Sequence, residues 1–564
     1  MKTNKFLIPV IAAAISFSAV SCSDEFLDVN DNPNSIQAEK ITPELMFPGA
    51  VSTAYRTQAG TMMQFGNLMM NSWAGNSYAF GSPFSREFNL QSVDNTFYTG
   101  IWGGLYPRIA NFAQIEKYPN ADHKQDQYVA MAKIMKAFYM QTIVDLYGDA
   151  PYSEAFMGQD NTTPKYDNDE DIYKALIADL EQAEALIKNG QGLEPTSDIV
   201  FNGNMGWDPV SQTYAIGDSW LKFSNTIKLR LLVRMSRLTG ANGTYRDQKL
   251  ATLAGAQFID GNVIVNPGYS MANDDKMNPF ILNWARNSAG SQVQSYNLIV
   301  PSEHFANAMQ GNLILNDANQ TKFNNLGDPR RTRLFTSVSG GTYYNGVAYS
   351  GLKGVRQGAL PGQPGAPTGT APGITNTSKL GAGTFAGDTS VAVWNPDVII
   401  ANNNRGGMIM SGAESNFLQA EAGLRWPGLF PNAQAKFTAG IVASGVWLGV
   451  STNADNSTAL MTSYANAIVT RPGLGWGGTD AQKLEAIMTQ KWISLTNVNP
   501  TEMFIDFLRT GLPYTPMATT SSQPNKPYRL VYPVSEYAAN SANVPNIPSG
   551  AVFVKNQYTP FWNQ

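Results

Sequence analysis

Apolar positions recur along this chain at steps of three and four over long stretches, and that spacing predicts helices. Between Asp171 and Lys188, the residues Ile172, Leu176, Leu180, Ala183 and Ile187 fall on one helical face. Asp167 and Glu170 precede them in a capping-box pattern, and Lys188, Asn189 and Gly190 supply a stop. The same periodicity predicts helices over about Leu45–Leu68, Tyr98–Tyr118, Gln127–Tyr147 and Ser219–Leu238. Further along it predicts Ser415–Trp426, Ala433–Leu448, Ser457–Val469 and Asp480–Leu495. Gly148-Asp149-Ala150-Pro151 and Gly511-Leu512-Pro513 read as breaks. Strand candidates are few and short: Phe335–Val338, Val391–Val393 and Val398–Ile400. The expected fold class is mainly α. Helices in pairs without a strict repeat of about 34 residues suggest degenerate tetratricopeptide-like hairpins. Residues 339–390 interrupt this pattern with a Gly-, Pro-, Ser- and Thr-rich run that contains Tyr343 and Tyr344, too long for an idle connector in a compact domain.

Composition narrows the chemistry. Of 564 residues, 43% are apolar and 11% aromatic, enough to bury a large core and to argue against disorder. A single cysteine forbids an internal disulfide and any multi-cysteine metal site. The formal charge of −4 gives no electrostatic reason to bind nucleic acid. At the N-terminus, Lys2 and Lys5 precede Phe6–Val20, an uncharged and mostly apolar run. A membrane-spanning helix needs about 20 residues, so this run reads as a signal-peptide core. Ala19-Val20-Ser21-Cys22 follows, and small residues before a cysteine at this place resemble a lipobox, although leucine is usual where Ala19 stands. Diacylation would make Cys22 the membrane anchor. The acidic Asp24 and Glu25 after Ser23 resemble an export signal of surface lipoproteins. The expected organisation is a signal peptide over 1–21, a tether over 22–40 and one large unit over 41–564.

Motifs that would announce an enzyme fail on inspection. Asp28 to Glu39 imitates a calcium-binding EF-hand loop, but Pro33 stands where a positive φ requires glycine. Gly473-Leu-Gly475-Trp-Gly477-Gly478 lacks the strand–turn–helix context and the lysine of a phosphate loop, and reads as a structural turn. His304 is a lone histidine, expected to be structural. Glu414 and Glu421 share a helical face and are expected to serve packing and capping. Lys222, Lys228, Arg230, Arg234 and Arg237 are expected to form a solvated cationic face opposite Trp220, Phe223, Ile227 and Leu231. No catalytic constellation, cofactor motif or metal-ligand spacing emerges.

Several blocks, in order along the chain, carry a family resemblance. They are Ala130–Ala155 (AMAKIMKAFYMQTIVDLYGDAPYSEA), Tyr166–Ala183, Gly217–Arg237 (GDSWLKFSNTIKLRLLVRMSR), Asp328-Pro329-Arg330 and Ala413–Ala422 (AESNFLQAEA). Glu485–Trp492 (EAIMTQKW), Arg509-Thr510-Gly511 and Tyr532–Glu536 complete the series. Together they resemble the SusD/RagB family, in its SusD-like subgroup; Phe507-Leu508-Arg509 departs from the Arg-Arg pair common there, which touches only a local ion pair. The resemblance implies a SusD-like fold and a non-catalytic outer-membrane lipoprotein facing the cell exterior. Such a protein binds a nutrient, an oligosaccharide or in some members a peptide, and passes it to a SusC-like TonB-dependent transporter. It implies that the helix pairs face the transporter and that loops hold the ligand. No cofactor is implied.

Ligand contacts are inferred from chemistry. Sugars stack on Trp and Tyr while their hydroxyls seek amides, carboxylates and guanidinium groups. On that ground the candidates are Trp73, Asn76, Tyr78 and Phe80, then Trp284, Arg286 and Asn287, and Tyr343 with Tyr344 in the glycine-rich run. Trp102, Trp220 and Trp492 lie in helical patterns and are expected in the core. Two rivals are a lipid-anchored surface glycoside hydrolase, betrayed by turnover of bound polysaccharide, and an adhesive surface protein with no transporter partner.

Overall fold

The computed structural model describes residues 41–342, 348–366, 369–371, 374–375, 377–385, 405–451 and 454–564. Helices of seven residues or more carry the architecture: α1 Pro43–Thr57, α2 Met63–Met69, α3 Thr99–Glu116, α4 Asp126–Tyr147, α5 Asp169–Asn189, α6 Trp220–Arg234 and α7 Gly240–Ala251. They continue as α8 Glu303–Met309, α9 Gly412–Arg425, α10 Ala433–Leu448, α11 Ala454–Ile468, α12 Asp480–Leu495 and α13 Pro500–Thr510. Consecutive helices pack as pairs: α3 on α4, α4 on α5, α5 on α6, α9 on α10, α10 on α11, and α12 on α13. α9 also contacts α6 and α12, which joins the two sets. α4 is buried from Tyr128 to Tyr147 except Lys133, so it must be covered on every side, and it is the central rod. One apolar cluster runs through the described residues from Phe47 to Trp562. Among them no helix is long and apolar enough to cross a membrane.

The periodic segments form where the pattern places them. α10 and α12 have the expected bounds, and α5 buries Ile172, Leu176, Leu180, Ala183 and Ile187. Gly190 ends α5 at φ +64°, a left-handed conformation that glycine adopts without strain. The expected start of α5 is corrected. Asn168 is the N-cap, accepting from Glu170 N, while Asp167 turns away to accept from the Tyr152 and Ser153 amides at 2.9 and 2.7 Å. The helix expected over Leu45–Leu68 is interrupted at Gln58–Met62 by a π-helical turn. The turn at Gly473–Gly478 is structural as expected: a Cβ at Gly475 would lie 1.8 Å from the Ile468 carbonyl oxygen.

The cationic face of α6 is not solvated. Lys222, Lys228, Arg230 and Arg234 are buried, and only Arg237 is exposed. Arg234 reaches Glu502 at 2.6 Å, Asp506 at 2.5 Å and Asp145 at 3.3 Å. Lys491 meets Asp506 at 2.5 Å, Arg509 meets Glu421 at 2.6 Å and Asp506 at 2.9 Å, and Arg230 meets Glu414 at 3.3 Å. This network ties α4, α6, α9, α12 and α13 together inside the core. Glu414 and Glu421 therefore belong to an ionic lattice and not merely to helix capping. Burial raises the Glu414 carboxyl, whereas the Arg509 and Arg425 charges outweigh burial and lower Glu421.

Strand is sparse. β1 Trp73–Gly75, β2 Val263–Val265, β3 Ile299–Pro301 and β4 Gly407–Met410 make two antiparallel ladders, β1 with β3 and β2 with β4. Trp73 stands opposite Pro301 and Gly75 opposite Ile299, which holds the segment after β1 against residues 297–301. The strand expected at Phe335–Val338 begins only at Val338 and pairs Val338–Thr342 with Ala348–Gly351; Phe335 makes an isolated bridge to Leu380. Val391–Val393 and Val398–Ile400 lie outside the described residues.

Candidate functional site

The π-helical turn at Gln58–Met62 sets the geometry of the site. Such turns widen a helix locally and recur at functional positions. Here the turn points the Ala59 carbonyl at the Trp284 indole, whose Nε1 donates to it at 2.6 Å. Trp284 closes a short helix, Pro279–Trp284, started by proline and by Asn278 accepting from Phe280 N. Small residues allow the elements to meet. A Cβ at Gly60 would come within 3.1 Å of the Asn283 amide nitrogen, and one on α3 at Gly104 within 2.5 Å of Thr57. The result is an open cleft of about 540 Å³ lined by Arg56, Thr57, Thr61, Gln64, Tyr98, Asn283, Trp284 and Ser295, with Gly60 at its base.

One wall is a polar relay. The Tyr98 hydroxyl donates to Glu87 at 2.8 Å, and Gln64 Nε2 donates to the Tyr98 hydroxyl at 3.0 Å. Burial and the neighbouring Glu87 charge push the Tyr98 phenol well above its ordinary range, so it stays a donor at neutral pH. Tyr98 has φ +53°, a left-handed conformation rare for a bulky residue. Its ring is held there against Phe65 and Phe97, each with centroids 4.9 Å away. Strain of this kind persists only when the surroundings enforce it, and it clusters at functional positions. Arg56 is exposed at the rim and donates to the Asp275 carbonyl at 3.2 Å. The lining thus offers a guanidinium, two carboxamides, hydroxyls, a phenol and an indole, with the Glu87 carboxylate behind the phenol. That set can hydrogen-bond a hydroxyl-rich molecule.

The candidates from sequence fare unequally. Trp73 is fully buried: its Nε1 donates to Asn497 Oδ1 at 2.7 Å and its ring meets Trp284 edge-on with centroids 5.0 Å apart. It presents no face to a sugar, which corrects that expectation. Trp284 lines the cleft but is only 5% exposed, too little for a stacking platform. Asn76 is 1% exposed, with Nδ2 donating to the Asn297 carbonyl at 3.2 Å, and belongs to the packing of the β1 segment. Tyr78 is at the surface and Phe80 half-buried, outside the cleft lining. Arg286 donates to the Gly290 carbonyl, and Asn287 accepts from Ser291 N at 2.9 Å, so both stabilise their own turn. Tyr343, Tyr344 and Cys22 lie outside the described residues, as does the segment from Asp28 to Glu39.

Trp102, Trp220 and Trp492 are buried, as their helical patterns require. His304 is structural. Its Nε2 is 3.2 Å from the Tyr514 carbonyl, Gln320 Nε2 is 2.9 Å from its Nδ1, and burial pushes its pKa down to about 4. The lining residues the sequence reading missed are Arg56, Gln64 and Tyr98. Their one legible signal was Gly60 inside an otherwise helical pattern, a mark of close approach.

Comparison with known proteins adds the following. The family model described as "Starch-binding associating with outer membrane" matches residues 33–533. A solved chitin-binding protein is similar at 23% identity and a TM-score of 0.65, covering 92% of this chain and 99% of its own. A chitin-binding SusD homolog from Flavobacterium johnsoniae is similar at 20% identity and a TM-score of 0.59, with coverage of 91% and 98%. A SusD homolog from Bacteroides thetaiotaomicron is similar at 18% identity and a TM-score of 0.62, with coverage of 92% and 99%. At these identities the likeness is one of fold. Among curated proteins nothing matches.

Proposed function

The chain belongs to the SusD-like family, and from that premise we propose that it is a non-catalytic lipoprotein that captures an oligosaccharide for a SusC-like TonB-dependent transporter. Acylated Cys22 would hold it on the outer membrane, facing the cell exterior, with residues 22–40 as the tether. The observation that carries the binding reading is the cleft above the π-helical turn. Its polar lining is fixed by Tyr98 and Gln64 before any ligand arrives, and preorganised donors lose less entropy on binding. The family description and the chitin-binding neighbours support a saccharide over a peptide. The carboxylate beside the cleft, Glu87, is engaged by Tyr98 at 2.8 Å and by Gln64 at 3.4 Å, which supports capture over hydrolysis.

Calorimetric titration of the full chain in detergent against malto-oligosaccharides, chito-oligosaccharides and peptides tests this. One saccharide class should bind and be recovered uncleaved. Gln64→Ala and Asn283→Ala should each weaken it by about 1 kcal/mol, the scale of one hydrogen bond. Binding by peptides alone, or saccharide affinity unchanged in the double variant, sinks the cleft reading.

A further inference from the structure

A second concavity lies on the helix-pair side, over α10. Ala435, Ala439 and Ala443 give it a low apolar floor, and its volume is about 780 Å³. A neighbouring hollow of about 340 Å³ borders it at Asp260 and Lys436. Lys436 Nζ and Asp260 pair at 2.8 Å where the two meet.

Two groups in this groove are left short of partners. Asn416 is 3% exposed and donates Nδ2 to the Gly412 carbonyl at 2.8 Å, but its Oδ1 accepts nothing among the described residues. A buried carbonyl oxygen without a donor is costly, on the order of 1–3 kcal/mol. Arg405 is half-buried and lies over the Trp447 ring. Of its five N–H donors, two meet backbone carbonyls, Gly383 and Trp447, both at 3.2 Å. Among the described residues no carboxylate pairs with it, whereas Arg230 and Arg234 of α6 each have one. Desolvation works against its charge, and an incoming anion would relieve that penalty.

We propose that this groove is a second ligand site, for an acidic oligosaccharide: a sugar carboxylate on the Arg405 guanidinium, a sugar hydroxyl donating to Asn416 Oδ1, and a ring against Trp447. A planar guanidinium fits a carboxylate through two parallel hydrogen bonds. The unfilled acceptor asks for a hydroxyl on the same ligand, and the half-buried indole supplies apolar contact. A volume of about 780 Å³ has room for more than one sugar ring. Choosing a sugar over other anions rests on the saccharide-binding reading above, and the experiment separates the two by titrating variants of both sites.

The probe is trigalacturonic acid, with its methyl ester as the uncharged counterpart, titrated into the full chain in detergent. The acid should bind at least about tenfold more tightly than the ester, a gap of about 1.4 kcal/mol. Arg405→Gln and Asn416→Ala should each weaken the acid by about tenfold or more. Gln64→Ala with Asn283→Ala should leave the acid unaffected while weakening the neutral saccharide of the cleft. Thermal unfolding confirms that the variants fold, and Trp447→Phe serves as a milder probe should Arg405→Gln not fold. Equal affinity for acid and ester, tetraglutamate binding as tightly as the acid, or acid affinity that ignores the groove variants would each overturn the second site. Absence of neutral-saccharide binding to the unsubstituted chain, with the acid still bound, would overturn the cleft and leave the groove standing.

Discussion

The core around Arg234 and the cleft around Tyr98 use polar groups in opposite ways. In the core, Arg230, Arg234, Lys491 and Arg509 each have a carboxylate within 3.3 Å, and all of them are buried. Enclosed as they are, none of them is accessible to a ligand. In the cleft, Gln64, Tyr98 and Asn283 are only half-buried, and hydrogen bonds fix Gln64 and Tyr98 beside the open volume they line. A strongly charged motif on a helix can therefore be scaffold, and a site can be built from uncharged amides and a phenol. Burial separates the two cases, because a buried charge must be paired whereas a recognition group must retain unused hydrogen-bonding capacity.

Removing a member of the core network should give the largest effect. Arg234→Met leaves Glu502, Asp506 and Asp145 facing one another in a buried space and should cost up to about 5 kcal/mol in denaturant unfolding. A change under about 1 kcal/mol would mean that the network is interchangeable with apolar packing, as buried ion pairs sometimes are. Trp73→Ala comes next. Its indole is fully enclosed, so the substitution should destabilise the fold by about 3 kcal/mol and leave saccharide affinity unchanged in protein that remains folded. An affinity loss without a stability loss would move Trp73 back into the ligand site.

The smallest of the three effects is in pH. His304 is held neutral by burial, with a folded pKa of about 4 against 6.5 in the unfolded chain. As pH falls below 6.5 the unfolded state takes up a proton that the folded state refuses, so stability drops as pH falls towards 4. Between pH 7 and pH 5 this amounts to about 2 kcal/mol. His304→Asn should flatten that slope by the same amount in paired urea titrations at the two pH values. An unchanged slope would show that His304 is solvated enough to be protonated in the fold.

Legibility differs from element to element for physical reasons. α5, α10 and α12 could be read because a 3.6-residue apolar period is a local property. The charges of α6 misled because their spacing matches a solvated face, while the partners of Arg234 are Glu502 and Asp506, 268 and 272 residues further on. Trp73 and Trp284 misled in the opposite direction. Small and amide neighbours suggested exposure, but the β1–β3 ladder and the Ala59 carbonyl draw both rings inward. The π-helical turn has no signature in periodicity, because one widened turn leaves the flanking apolar spacing almost intact.

By itself the sequence determined the helical class, the main helix boundaries, the family through its ordered blocks, and the expectation of an anchor at Cys22. Each of these rests on residues near one another in the chain. The tertiary structure alone decided which polar groups are enclosed and which remain open: Arg234 sealed, Trp73 sealed, Tyr98 and Gln64 presented, Asn416 short of a partner. Burial is a property of what packs against a residue, and the partners of Arg234 and Trp73 come from hundreds of positions away.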